Sequence, residues 1–154
     1  MQATNINPVL SAFVEILSQL GFQNIERKNI SLSGSVIQNK GLMVNIGVTG
    51  SLKGSIVFNM DDDSVKRFAS VMMGGMTVET SPEIQESAIS EMSNMVCANT
   101  CTKFSLIGIE DLNISPPTLI VGCESQVKLS ASSIIVINYT VNNIDLDLCV
   151  GLVS

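Results

Sequence analysis

A carboxylate and a carboxamide, Glu91 and Asn94, stand three residues apart inside SAISEMSN (87–94), a stretch otherwise built of small and apolar residues. On a helix that spacing is close to one turn, so the two groups share a face. A carboxylate accepts hydrogen bonds or meets a cation, and a carboxamide both donates and accepts without titrating. The usual machinery of covalent catalysis is missing. The chain has no histidine, which removes Ser-His-Asp and Cys-His catalysis and the imidazole metal sites. Cys97, Cys101, Cys123 and Cys149 show no CxxC spacing, and a disulfide between Cys97 and Cys101, at i and i+4 of one helix, would constrain little, so reduced thiols are expected. Asp61, Asp62 and Asp63 form the other acidic cluster. Consecutive carboxylates fan out around a helix, so we read them as capping a helix start rather than holding a metal.

The long helix that must carry Glu91 and Asn94 is expected from about Pro82 to Leu106. At about 100° per residue, Ile89, Met92 and Val96, flanked by Phe104, form the stripe that faces a sheet. Ser87, Glu91, Asn94 and Ala98 fall on the opposite side, with small Ser90 and Cys101 beside them. A solvated polar face is the commoner meaning of such a pair. Two features weigh against it: the ledge lacks the lysines and arginines of a salt-bridged helix surface, and asparagine is a poor helix-interior residue.

Upstream, NINPVLSAFVEILSQLGF reads as an amphipathic helix with Asn7 as N-cap, Pro8 in the first turn and Gly21 at C′. Strands are expected at 25–34, 42–50 and 54–60, with GSLKG as the hairpin connection between the last two. GSLKG lacks the order of a phosphate loop. DDDSVKRFASVMMGG is a short helix stopped by Gly74 and Gly75. After the long helix, 116–122, 127–141 and 144–153 read as strands. Helix and three strands therefore occur twice, a degenerate repeat that predicts two intertwined halves sharing one sheet within a single domain, 1–154.

Hydrophobic residues make up 45% of the chain and charged ones only 14%, below the ~25% typical of soluble domains, so exposed apolar surface and self-association or a partner are expected. The net charge of −6, without a basic cluster, argues against nucleic acid. No apolar run approaches the ~20 residues that span a bilayer, and MQATNINPVL lacks a basic n-region, so no membrane and a cytoplasmic location are expected. Met72, Met73, Met76, Met92 and Met95 would fill the core in the preferred reading, or form an adaptable partner surface in the other.

The spacing Ser87-x3-Glu91-x2-Asn94-x22-Pro117 resembles the signature of the CheC, CheX and FliY chemotaxis phosphatases, [Asp/Ser]-x3-Glu-x2-Asn-x22-Pro. NPVL, GVTGSLKGSIVFNM, VMMGGM and PPTLIVG are also similar to the CheX branch, so the resemblance covers essentially the whole chain. In the first helix the pattern degrades to Ser11-x3-Glu15-x2-Ser18, with Gly41 at the position spaced like Pro117, so that half lacks the active pair, as in CheX. FliY has a further C-terminal domain for which this chain is too short. Ser93 replaces the glycine of many relatives, at a position expected to affect packing.

The resemblance implies an α+β, CheC-like fold, with long helices on a largely antiparallel sheet. It also implies a substrate, the aspartyl phosphate of a CheY-type response-regulator receiver domain, whose own Mg²⁺ and lysine stabilise the phosphoryl charge. The chain then needs no cofactor or metal of its own. Asn94 would orient the attacking water. Glu91 would pair with the receiver lysine, Ser87 and Ala98 would admit the partner by being small, and Pro117 would give structural support. A homodimer through a continuous sheet is implied as well, with VKLSASSIIVINYTVNN as the expected pairing edge. The rival reading is a non-catalytic adaptor that binds a receiver domain or a flagellar or chemotaxis partner. A hydrolase of small phosphoesters is weaker, because no residue cluster is suited to binding its own Mg²⁺.

Overall fold

The computed structural model describes residues 6–75, 81–131 and 133–154. Met76, named above among the methionines, lies outside them. The element order is α1 (Asn7–Gln19), β1 (Ile25–Ser33), β2 (Val36–Gln38), β3 (Leu42–Thr49), β4 (Lys53–Met60), α2 (Asp62–Met72), α3 (Pro82–Ser105), β5 (Asn113–Ile114), β6 (Thr118–Val121), β7 (Gln126–Lys128), β8 (Ile134–Val141) and β9 (Ile144–Val153).

The main sheet runs β1-β8-β9-β4-β3-β5, and β6 also pairs with β3. Every pairing in it is antiparallel. Its order expresses the repeat. Each half contributes a hairpin, β3–β4 or β8–β9, and the two hairpins meet at β4–β9 in the middle. Each half's outer strand then crosses to the other half, β1 onto β8 and β6 onto β3. β2 and β7, one from each half, pair as a separate ribbon.

Three layers result. α1, α2 and α3 cover one face of the sheet over the main core, which includes Phe13, Phe58, Phe68, Met92 and Phe104. A smaller core, Ile37, Met43, Val57, Leu129, Ile134 and Cys149, lies on other strand positions with the ribbon. Two polar groups buried with it are satisfied, whereas the Asn45 side-chain oxygen on the same face has no hydrogen-bond partner among the described residues. Asn59 accepts from the Lys40 amide at 3.0 Å and donates to the Gln38 carbonyl at 2.8 Å. Asp147 pairs with Lys40 at 2.7 Å and accepts from Asn138 at 2.6 Å.

Local signals set the helix ends. Gly21, at φ 101°, closes α1, with the Phe22 amide bonded to the Leu17 carbonyl and the Gly21 amide to the Ser18 carbonyl, a Schellman arrangement. Asp61 caps α2 by accepting from the Ser64 amide at 2.7 Å, the capping role expected of that cluster. Asn7 does not cap α1. Ile6 holds that place without a side-chain hydrogen bond, so Pro8 carries the start signal.

The run 127–141 is not one strand. It divides into β7, in the ribbon, and β8, in the main sheet. Nor is it a pairing edge, because β8 lies between β1 and β9. Among the described residues the long unpaired edge is β1, which is exposed from Glu26 to Leu32, Leu32 at 75%. Among the described residues, no helix is long and apolar enough to cross a membrane.

Candidate functional site

α3 is a 24-residue helix opened by Pro82, with Glu83 in its first turn and Lys103 in its last, each sign complementing the helix dipole at its own end. The buried side carries Ala88, Ile89, Met92, Ser93, Val96, Cys97, Thr100 and Phe104. Two of those are polar, and both are satisfied within the helix. Ser93 Oγ donates to the Ile89 carbonyl at 2.7 Å and Thr100 Oγ1 to the Val96 carbonyl at 2.8 Å. Ser93 thus faces the core, where it affects packing.

Ser87, Glu91, Asn94 and Ala98 are all exposed on the opposite side. Three residues put Glu91 and Asn94 about 4.5 Å apart along the axis and about 60° apart around it. Among the described residues neither side chain makes a hydrogen bond or ion pair. The helix presents an unengaged acid and an unengaged amide, flanked one turn away on each side by a small residue. Four of the five sequence-predicted positions are therefore together. Pro117 lies elsewhere, half-buried immediately before β6. The chain entering it is pinned to β3 by Ser115, whose amide donates to the Gly47 carbonyl at 2.9 Å and whose Oγ accepts from the Gly47 amide at 2.8 Å. β3 in turn lies against α3, so the segment entering Pro117 is joined to the helix through β3.

The first half offers a contrast. Glu15 on α1 is ion-paired with Lys103 of α3 at 2.5 Å. Hydrogen bonding and charge from Lys103, with a further hydrogen bond from Asn99, hold the Glu15 carboxyl below its ordinary value. Ser18, in the asparagine position, donates back to the Val14 carbonyl at 2.8 Å. In that half the Glu15–Lys103 pair ties α1 to α3, while the Ser18 hydroxyl is engaged within α1. The spacing that led to Gly41 does not find the structural counterpart of Pro117. Gly41 precedes β3, whereas the strand equivalent to β6 is β1. α1 has only 13 residues, so the chain reaches its strands sooner.

All four cysteines are free. Burial raises the Cys97 and Cys101 thiols and pushes Cys149 up to about 12, so these three are poor nucleophiles.

A groove of about 320 Å³ adjoins the ledge, lined by Met72 and Met73 of the α2 end and Glu83, Ile84, Ser87, Ala88 and Glu91 of α3. The sequence pointed to the methionines but not to this groove, which exists only because α2 packs beside α3. Met92 fills the core, Met72 and Met95 pack at its margin, and Met73 is half-buried in the groove. A larger recess of about 500 Å³, between the starts of α2 and α3, includes neither Glu91 nor Asn94 in its lining.

The sequence profile described as chemotaxis phosphatase CheX matches residues 42–140. The chain is 29% identical over 129 residues to the CheY-P phosphatase CheX of Thermotoga maritima, covering 83% of this chain and 82% of that protein. A CheC-like superfamily protein from Shewanella sp. PV-4 superposes over 100% of both chains with a TM-score of 0.85 at 17% identity. A chain of the CheX-CheY-BeF3-Mg²⁺ complex from Borrelia burgdorferi superposes with a TM-score of 0.78 at 22% identity, covering 97% of each.

Proposed function

We propose a function that proceeds from family: the chain belongs to the CheX family of chemotaxis phosphatases, and we read it as the enzyme that hydrolyses the aspartyl phosphate of a CheY-type receiver domain. One observation carries the reading. Among the described residues, Glu91 and Asn94 stand exposed and unengaged one turn apart on a ledge of small residues, while the matching Glu15 of the other half is tied to Lys103.

The chemistry asks little of this protein. An acyl phosphate is already activated, and the receiver's own Mg²⁺ and lysine hold the phosphoryl charge. An in-line water is what remains to be supplied, and phosphoryl transfer is catalysed mainly by positioning and electrostatics. Asn94 would hold that water, its carbonyl accepting a proton of the water and its NH₂ donating to the oxygen. Glu91 would meet the receiver's lysine in a charge-assisted hydrogen bond and set the docking register. Ser87 and Ala98 would let the helix approach closely, and Pro117 would hold the strand beneath it. The homodimer implied by the resemblance would pair through β1, the exposed edge, and sedimentation at micromolar concentration would test that.

The deciding experiment is phosphate release from phosphorylated receivers with wild type and Asn94→Ala. The phosphatase reading expects acceleration by wild type, and a variant that binds without accelerating. Equal rates with bound receiver would leave the adaptor reading instead.

A further inference from the structure

We infer that the groove between the end of α2 and the first turns of α3 is the specificity-determining part of the docking surface, seating an aliphatic side chain of the receiver that neighbours a cation beside its phosphorylated aspartate. The inference deepens the phosphatase reading and rests on it. Continuity is the first argument. Ser87 and Glu91 belong both to the groove wall and to the ledge, so a domain seated on Asn94 extends over the groove. Ile84, ten residues before Asn94, is about 15 Å from it along the axis, a distance within one protein–protein footprint.

The lining names the occupant. Met72 and Met73 are half-buried and Ile84 is 42% exposed, an apolar floor that solvent alone does not favour. Thioether side chains adapt their shape to what covers them. The charged groups of the lining are Glu83 and Glu91, and among the described residues neither is paired. An acidic rim around an apolar floor selects an aliphatic group bracketed by positive charge and repels an anion. A second copy of this chain is disfavoured as occupant, because it would bring a net charge of −6 against that rim. The receiver lysine that Glu91 would meet brings the opposite sign.

The test compares wild type, a Met72→Gln/Met73→Gln double variant and Ile84→Gln, using a beryllofluoride-loaded receiver for affinity and the phosphorylated receiver for kinetics. Ile84 is partly exposed, so its variant keeps the question open to measurement if the methionine pair proves needed for folding. The expected result is a rise in Kd and KM of about tenfold, the size of one buried apolar side chain lost from an interface, with kcat at saturating receiver preserved. Unchanged KM in folded variants of an active enzyme overturns the groove assignment and leaves the phosphatase reading intact. A fall in kcat at constant KM overturns it equally. Wild-type protein that does not shorten the lifetime of the acyl phosphate removes the underlying reading, and this inference with it.

Discussion

Replacing Asn94 with alanine separates function from folding in one residue. The side chain is exposed and makes no hydrogen bond among the described residues, so its removal leaves nothing unsatisfied in the fold. Alanine is the better helix former by about 0.5 kcal/mol in a helix interior, and Asn94 lies well inside α3. Asn94→Ala should therefore be slightly more stable than wild type, with Tm higher by roughly 1–2 °C for a domain of this size. Activity should move the other way. Loss of a group that positions the reacting water costs on the order of 100-fold. Thermal unfolding by circular dichroism and phosphate release at saturating receiver measure the two effects on one sample. A lower Tm would mean that Asn94 has a structural partner. An undiminished rate would mean that it does not hold the water. Either result refutes the reasoning.

Glu91→Gln keeps the shape of the docking face but loses its charge, and receiver affinity should fall about tenfold, the worth of one charge-assisted hydrogen bond, read by titration calorimetry. Ala98→Phe adds bulk to the exposed face without touching the core, so phosphate release should drop by at least about tenfold with an unaltered circular dichroism spectrum. Met92→Ala empties a fully buried position beneath the ledge, which should cost about 3 kcal/mol and lower Tm by roughly 6–12 °C. The Glu15–Lys103 pair fixes the sign of a pH effect. Its carboxyl is held below the ordinary value of 4.5, chiefly by Lys103, so its stabilisation is present above that value and lost as pH falls through the depressed one. Wild type should exceed Glu15→Gln in Tm by a small margin near neutrality, and the margin should vanish in acid.

The faces of α3 were legible because its apolar residues recur at helical spacing and nothing competes for them. Ile89, Met92, Val96 and Phe104 are buried, and Ser87, Glu91, Asn94 and Ala98 are exposed, as periodicity requires. The repeat was legible from element order, and interleaving followed from one sheet having to serve both halves. Other features depend on pairings distant in sequence. β2 and β5, at three and two residues, are too short to show a period. β7 leaves the line of β8 because it pairs with β2, about ninety positions earlier in the chain, a partner that no local pattern announces. β1 alternates weakly because it sits at the sheet's edge with most of its residues exposed. The clamp between Glu15 and Lys103 and the groove at Met73 exist only after helices meet, so spacing within one helix could not reveal them.

The crossing of each outer strand into the opposite half has a consequence for synthesis. When β4 leaves the ribosome, its second neighbour, β9, is still more than eighty codons away, and β1 waits longer still for β8. The nascent first half thus emerges with its β3–β4 hairpin uncovered on both outer sides and β1 without a neighbour, a state open to aggregation. Closure comes when the β8–β9 hairpin slides between β1 and β4, so the half made later completes the sheet begun by the earlier one.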